Sequence, residues 1–228
     1  AISETKIAVS TKQDGIFIYD LDTKKWNPIK SNKMISSDID AILFLGEYIY
    51  VGSRGEGVFF SIDNGENWKE ISTGLENLTI RKLEAIDYKL YAGTNEGLYS
   101  LNNTKKVWEK EYSETNLQVN GITFFENSIY IGTNQGLFYK PLDGGGLNFK
   151  FIDGTEGPVW SLVNYDDTLF CGHNLGTFII DNGEVSQKID VNGTWNLIPS
   201  LKDSNILIQG NYNGLSVLEK KNGKWLLK

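Results

Sequence analysis

A glycine recurs about every forty residues along this chain, and this period constrains the fold more than any other feature of the sequence. The six glycines are 38 to 42 positions apart: Gly15, Gly57, Gly97, Gly136, Gly176 and Gly214. A similar phrase surrounds each of them, as in KLYAGTNEGLYS (89–100) and SIYIGTNQGLFY (128–139). Self-similarity at a fixed period indicates one supersecondary unit that is repeated six times.

Each repeat divides into four short strands. In the third copy we expect strands over 80–87, 89–94, 97–102 and 107–112, because apolar and polar residues alternate there and β-branched and aromatic residues are frequent. The short connections are rich in Gly, Asn, Asp and Thr, which is typical of hairpin turns. No stretch of ten or more residues has a helical period. Four strands in a period of about 40 to 45 residues predict an all-β, six-bladed β-propeller with four-stranded antiparallel blades.

The six blades account for the whole chain as a single domain. Their expected limits are 1–36, 37–76, 77–116, 117–155, 156–191 and 192–228. The first copy begins directly at its second strand, KIAVST, so we expect about 23 strands and a first blade of three strands.

Two residue types recur at fixed places in the repeat. In five of the copies a further glycine precedes the recurring one, so that the two form a pair. The first glycine of each pair ends the second strand: Gly52, Gly93, Gly132, Gly172 and Gly210. We attribute both glycines of a pair to turns that require a positive φ. Tryptophans recur at the outer strand and are predicted to be packing residues: Trp26, Trp68, Trp108 and Trp225.

Composition narrows the classes of function. The net charge of −7 argues against nucleic acid and against an anionic membrane surface as partners. A single cysteine, Cys171, excludes an intramolecular disulfide, and a single histidine, His173, excludes a histidine-rich zinc site. No apolar run has the length of a membrane span. We expect no cofactor and no bound metal.

Residues 61–68, SIDNGENW, match the pattern S-x-D-x-G-x-x-W of the Asp-box. Its four defining residues here are Ser61, Asp63, Gly65 and Trp68. The carboxylate can accept backbone N–H bonds in a turn, and the indole can pack beneath it. We expect this motif to be structural.

The chain resembles the propeller repeats of bacterial two-component regulators. These repeats carry the phrase G-T-x-x-G-L, which is found here at 93–98 and at 132–137. The segment 205–225 is similar to the propeller portion of regulators from Bacteroidetes-type bacteria. The resemblance covers all six copies and implies a propeller fold, a bacterial origin and a role in sensing.

An enzyme is a possible interpretation of the sequence, because Asp-box propellers include sialidases. A sialidase-like site needs three arginines around the substrate carboxylate, and lysine replaces arginine poorly in that role. This chain has two arginines, Arg54 and Arg81. The sequence therefore favours a non-catalytic protein, and a propeller-type glycoside hydrolase or lyase is kept as an alternative.

A ligand is expected at the central funnel of the propeller. The starts of the innermost strands and the turns between second and third strands supply its candidate residues: Asp40, Arg54, Arg81, Asn120, Trp160, Trp195 and Tyr212. Indole faces beside amides and charged groups suit a carbohydrate or a peptide-like ligand. The alternatives are that the two tryptophans pack in the channel or between blades, and that Arg81 pairs with Asp40 or with a nearby glutamate such as Glu84.

The leading hypothesis is a ligand-recognition or sensor-input propeller that works outside the cytoplasm of a bacterium as a monomer. Its partner would be a small polar ligand, a glycan or a protein. Two further alternatives stay open: a protein–protein interaction scaffold, and an engineered or excised propeller without a selected activity. The second is suggested by the missing first strand and by the start at Ala1.

Overall fold

The computed structural model describes residues 1–11, 14–29, 38–112, 117–142 and 148–228. These residues form six antiparallel sheets, of which the first has three strands and the others four. The expected all-β, six-bladed propeller with a three-stranded first blade is confirmed. Nowhere in the described ranges is there a helix that is long and apolar enough to cross a membrane.

The chain forms two compact units, Ala1–Val119 and Asn120–Lys228. The single domain and the six blade limits stay predictions, and the limits at 36/37 and at 116 lie outside the described residues.

Three sheets build the first unit. Sheet 1 contains β1 (Lys6–Thr11), β2 (Gly15–Asp20) and β3 (Lys25–Pro28). Sheet 2 contains β4 (Ile39–Leu45), β5 (Tyr48–Ser53), β6 (Val58–Ser61) and β7 (Lys69–Glu70). Sheet 3 contains β8 (Ile80–Ile86), β9 (Lys89–Thr94), β10 (Gly97–Asn102) and β11 (Val107–Tyr112). In each sheet the strands follow one another in chain order.

The remaining sheets have the same topology. Sheet 4 contains β12 (Val119–Phe125), β13 (Ser128–Thr133), β14 (Leu137–Pro141) and β15 (Lys150–Phe151). Sheet 5 contains β16 (Val159–Tyr165), β17 (Thr168–His173), β18 (Gly176–Asp181) and β19 (Glu184–Ile189). Sheet 6 contains β20 (Thr194–Pro199), β21 (Ile206–Asn211), β22 (Gly214–Lys221) and β23 (Lys224–Leu227).

Glycine has two different roles in the repeat. The second glycine of each pair has a positive φ, as expected for a tight turn; the angle is +115° at Gly97 and +141° at Gly176. The first glycine does not need that conformation, so our common explanation was wrong for it. A Cβ at Gly132 would lie 2.4 Å from Cγ1 of Val159, the first residue of the next sheet. The first glycine is therefore required by close approach of the neighbouring sheet.

The core consists of clusters between consecutive sheets within each unit. In the first unit, Ile49 and Val51 of sheet 2 pack with Ala8 and Ile18 of sheet 1. In the second unit, residues of sheet 4 pack with Val159, Leu169 and Phe178 of sheet 5. Burial of one such aliphatic or aromatic side chain contributes about 1.5–3 kcal/mol, so sheet-on-sheet contact is the main source of stability.

The outer-strand tryptophans are not all packing residues. Trp68, Trp108 and Trp225 are buried, as predicted, but Trp26 is 52% exposed. Our prediction for Trp26 was wrong because the face of sheet 1 that carries it is itself exposed, although its ring lies 5.1 Å from that of Tyr19.

Candidate functional site

The turn at 61–68 is held together by its own polar side chains. The backbone N–H of Gly65 donates to Ser61 Oγ over 2.8 Å, and the Ser61 hydroxyl donates to Asp63 Oδ1 over 2.7 Å. The Trp68 indole N–H donates to the Gly65 carbonyl over 3.0 Å. Hydrogen bonds from the backbone and side chain of Asn67 lower the pKa of Asp63 to about 2. A carboxylate engaged in this way stabilises the turn and is a poor proton donor.

The predicted polar residues of the first unit form an ion-pair cluster. Arg54 Nη2 donates to both carboxylate oxygens of Asp40 over 3.0 Å, and Arg54 Nε lies 3.2 Å from Oδ2. Arg81 Nη1 lies 3.7 Å from the same carboxylate, which is the ion pair that the sequence offered as an alternative.

The Arg81 guanidinium is engaged from a second side. Its Nε donates to Asn95 Oδ1 over 2.8 Å, and the terminal amide of Gln118 lies 2.6 Å from its Nη2. Because a guanidinium offers only donors, the oxygen of that amide faces it. One carboxylate thus pairs with two guanidiniums, and the half-exposed Arg54 is the member that faces solvent most.

In the second unit the two predicted tryptophans come together. The rings of Trp160 and Trp195 are stacked with centroids 5.0 Å apart and an interplanar angle of 30°. Tyr212 meets Trp195 edge to face, with centroids 5.1 Å apart at 81°. These three side chains form a surface that we call the aromatic platform.

The aromatic platform is open to solvent and held in place. Trp195 is 47% exposed, whereas Trp160 beneath it is largely covered. The Tyr212 hydroxyl donates to Asn174 Oδ1, which fixes the phenol. The Trp160 indole N–H is buried and has no partner among the described residues. Asn120, also predicted for the site, donates from Nδ2 to the carbonyl of Val159 over 3.1 Å. It thereby supports the start of the strand that carries Trp160.

Two residues with reactive side chains lie inside the second unit. His173 is fully buried, and its Nδ1 accepts a hydrogen bond from the backbone N–H of Leu175 over 3.0 Å. Burial lowers the pKa of His173 and raises the pKa of the Cys171 thiol, because the charged form of each group loses its hydration. The described residues contain no group of three or more His, Cys, Asp or Glu side chains arranged to hold a metal ion.

Sequence reasoning missed a cavity of about 640 Å³ in the first unit. Its wall includes Tyr48, Tyr50 and Phe60, whose rings lie 5.7 to 6.0 Å from one another, and Tyr88 in the β8–β9 turn. Tyr48 and Tyr50 share one face of a strand because they are two positions apart. That spacing was visible in the sequence, but the closure of sheets 2 and 3 around it was not.

Comparison with known proteins finds similarity in structure only. No protein-family model matches the chain, and no curated protein matches it in sequence. The extracellular domain of a hybrid two-component system of B. thetaiotaomicron superposes with a TM-score of 0.79 at 20% identity over 95% of this chain. A second such domain from the same organism gives 0.76 at 20% identity over 93%. The computationally designed protein Ika8 gives 0.70 at 14% identity over 99% of this chain and 71% of its own.

The chain shares its fold with these extracellular domains of two-component systems. It spans about a third of their length, 31% of the first and 32% of the second. The resemblance to two-component-regulator propellers, which the glycine phrases suggested, thus has a counterpart among solved structures. What binds to this chain has to be argued from its own residues.

Proposed function

We propose that this chain is a non-catalytic sensor-input domain that binds a saccharide outside the cytoplasm through the aromatic platform. The half-exposed indole of Trp195, fixed between a stacked ring and an edge-on ring, is the observation that carries the proposal. The extracellular origin of the structural neighbours supports the location and the sensing role.

A platform of this kind suits the chemistry of sugars. The C–H face of a pyranose is apolar and packs on an indole, while its hydroxyls need hydrogen-bonding partners nearby. Trp195 offers the flat surface, and the Tyr212–Asn174 pair offers a hydroxyl and an amide beside it. Stacking on Trp160 restrains the indole before a ligand arrives, which reduces the entropy lost on binding.

The acidic residues of the first unit that the sequence singled out, Asp40 and Asp63, are not suited to glycoside hydrolysis. Asp40 is engaged by Arg54 and Arg81, and Asp63 has a lowered pKa. A glycoside hydrolase needs a carboxylic acid with a raised pKa, which is the opposite of the shift at Asp63. The ion pairs of Asp40 and the lowered pKa of Asp63 therefore favour ligand recognition over hydrolysis.

The test is binding of the full chain to a glycan array, followed by titration calorimetry with the best glycan. Removal of a central aromatic anchor typically costs about 2 kcal/mol, so Trp195→Ala is expected to weaken binding about 30-fold. Trp26→Ala is the matched control, because Trp26 is equally exposed but lies outside the aromatic platform. Circular dichroism checks that both variants are folded.

Three results would contradict the proposal. If Trp195→Ala binds the glycan as tightly as the parent chain, the aromatic platform is not the site. If Tyr48→Ala abolishes binding instead, the ligand occupies the tyrosine-lined cavity of the first unit. If no glycan binds at all, the saccharide itself is the wrong ligand class.

A further inference from the structure

The tyrosine-lined cavity of the first unit has an apolar floor and a polar rim. Leu90 and Leu101 are buried members of the core that sheets 2 and 3 share, and they form the floor together with the partly buried Ile71. The rim is formed by the β4–β5, β8–β9 and β10–β11 turns. A volume of about 640 Å³ lies within the range of roughly 300–1,000 Å³ that is typical of pockets for small organic ligands.

Two tyrosines of this cavity occupy positions that are polar in other copies of the repeat. Tyr48 begins β5, whereas the corresponding strands of sheets 3, 4 and 5 begin with Lys89, Ser128 and Thr168. Tyr88 ends the β8–β9 turn with a φ of +61°, and the same place in sheets 4 and 5 holds Asn127 and Asp167. A bulky side chain is rare in this left-handed conformation, so the turn itself does not explain a tyrosine there. The repeat requires neither tyrosine, and both line the cavity.

The rim also carries two opposite charges that are not paired. Glu47 and Lys106 both line the cavity, and both are exposed. Among the residues that the structure describes, neither forms an ion pair, with the other or with any third side chain. Lys105, the neighbour of Lys106 in the same turn, instead pairs with Glu109 over 3.3 Å. A carboxylate and an ammonium at the mouth of the cavity are therefore available to a ligand.

We propose that this cavity binds a free aromatic amino acid, with its ring among the tyrosines, its ammonium towards Glu47 and its carboxylate towards Lys106. The ring stacks on aromatic side chains and covers the aliphatic floor. A saccharide suits this floor less, because its hydroxyls would lie against Leu90 and Leu101 without hydrogen-bonding partners. A ligand with a single charge would use only one of the two rim groups. This second site does not rest on the saccharide proposal.

Titration calorimetry of the full chain with L-phenylalanine tests the proposal. Three analogues separate the parts of the ligand: phenethylamine lacks the carboxylate, 3-phenylpropionate lacks the ammonium, and L-leucine lacks the ring. The parent chain is expected to bind L-phenylalanine more tightly than any of them. Tyr48→Ala removes part of the aromatic wall and is expected to weaken binding of L-phenylalanine about tenfold.

Two charge variants assign the ends of the ligand. Lys106→Gln is expected to weaken L-phenylalanine and 3-phenylpropionate up to about fivefold, as for an exposed ion pair, and not to weaken phenethylamine. Glu47→Gln is expected to weaken L-phenylalanine and phenethylamine, and not 3-phenylpropionate. Lys105→Gln is the matched control, because it removes the same charge from the same turn at a residue that does not line the cavity. Trp195→Ala is expected to bind L-phenylalanine as the parent does, which separates this site from the aromatic platform.

Four results would overturn the proposal. The first is a parent chain that binds none of L-phenylalanine, L-tyrosine and L-tryptophan up to their solubility. The second is L-leucine binding as tightly as L-phenylalanine, and the third is an equal effect of Lys106→Gln and Lys105→Gln. The fourth is loss of binding in Trp195→Ala with retention in Tyr48→Ala. Circular dichroism checks the fold of each variant, and the charge variants at exposed positions decide the matter even if Tyr48→Ala does not fold.

Discussion

Gly93 and Gly210 hold the same position in their repeats but have opposite surroundings. A Cβ at Gly93 would lie 2.7 Å from the carbonyl oxygen of Val119 and 2.8 Å from its Cγ1, whereas a Cβ at Gly210 meets nothing. Neither glycine has a positive φ. Alanine therefore changes packing at Gly93 and only chain entropy at Gly210.

The expected magnitudes follow from these distances. Forcing an extra methyl group into a packed interface costs about 1–3 kcal/mol, and the stiffer unfolded chain offsets about 0.4–1 kcal/mol of it. Gly93→Ala should therefore destabilise the protein by roughly 0.5–2.5 kcal/mol, or about 2–8 °C in Tm for a chain of this length. Gly210→Ala has only the second effect, so its Tm should rise by about 1–3 °C.

Thermal unfolding followed by circular dichroism or calorimetry measures both changes. The comparison is between two identical substitutions in one background, so differences in helix or strand propensity cancel. The reasoning is refuted if Gly93→Ala is as stable as the parent, or if Gly210→Ala is destabilised to the same extent. Either result would mean that the first glycine of each pair does not report contact between sheets.

Two further predictions concern titratable groups. The pKa of Asp63 is about 2 in the folded protein, below its ordinary 3.8, so its contribution to stability is present above about pH 4 and is lost as pH falls towards 2. Urea unfolding at several pH values should show that Asp63→Asn reduces this loss, and an unchanged pH profile would exclude the assigned role. Cys171 is fully buried with a raised pKa, so a disulfide reagent should label it only after denaturation. Rapid labelling of the native chain would show that β17 is accessible.

The strands could be predicted from the sequence because they depend on local chemistry. The four strands expected in the third copy are found within one residue, from Ile80–Ile86 to Val107–Tyr112. Alternation, β-branched residues and turn residues act over two to six positions, and a period of about forty makes each copy evidence for the others. The φ angles of the second glycines follow from the same turns.

The candidate site could be predicted only in part. The sequence placed Trp160 and Trp195 at equivalent positions of neighbouring repeats, but their stacking and the edge-on Tyr212 depend on how sheets 5 and 6 pack. The ion pair between Arg81 and Asp40 was one of the alternatives that residue types alone could not separate, and the pair between Arg54 and Asp40 was not expected.

Local pattern along the chain thus specified the strands, the turns and the number of sheets, since each of these is decided by residues close to one another. Burial was decided elsewhere. Leu98 and Leu215 follow equivalent glycines, and Trp108 and Trp26 occupy equivalent strands, yet one of each pair is buried and the other exposed. The physical reason is that a side chain on a sheet is covered or left in water by the sheet beside it, and that neighbour is present only in the folded structure.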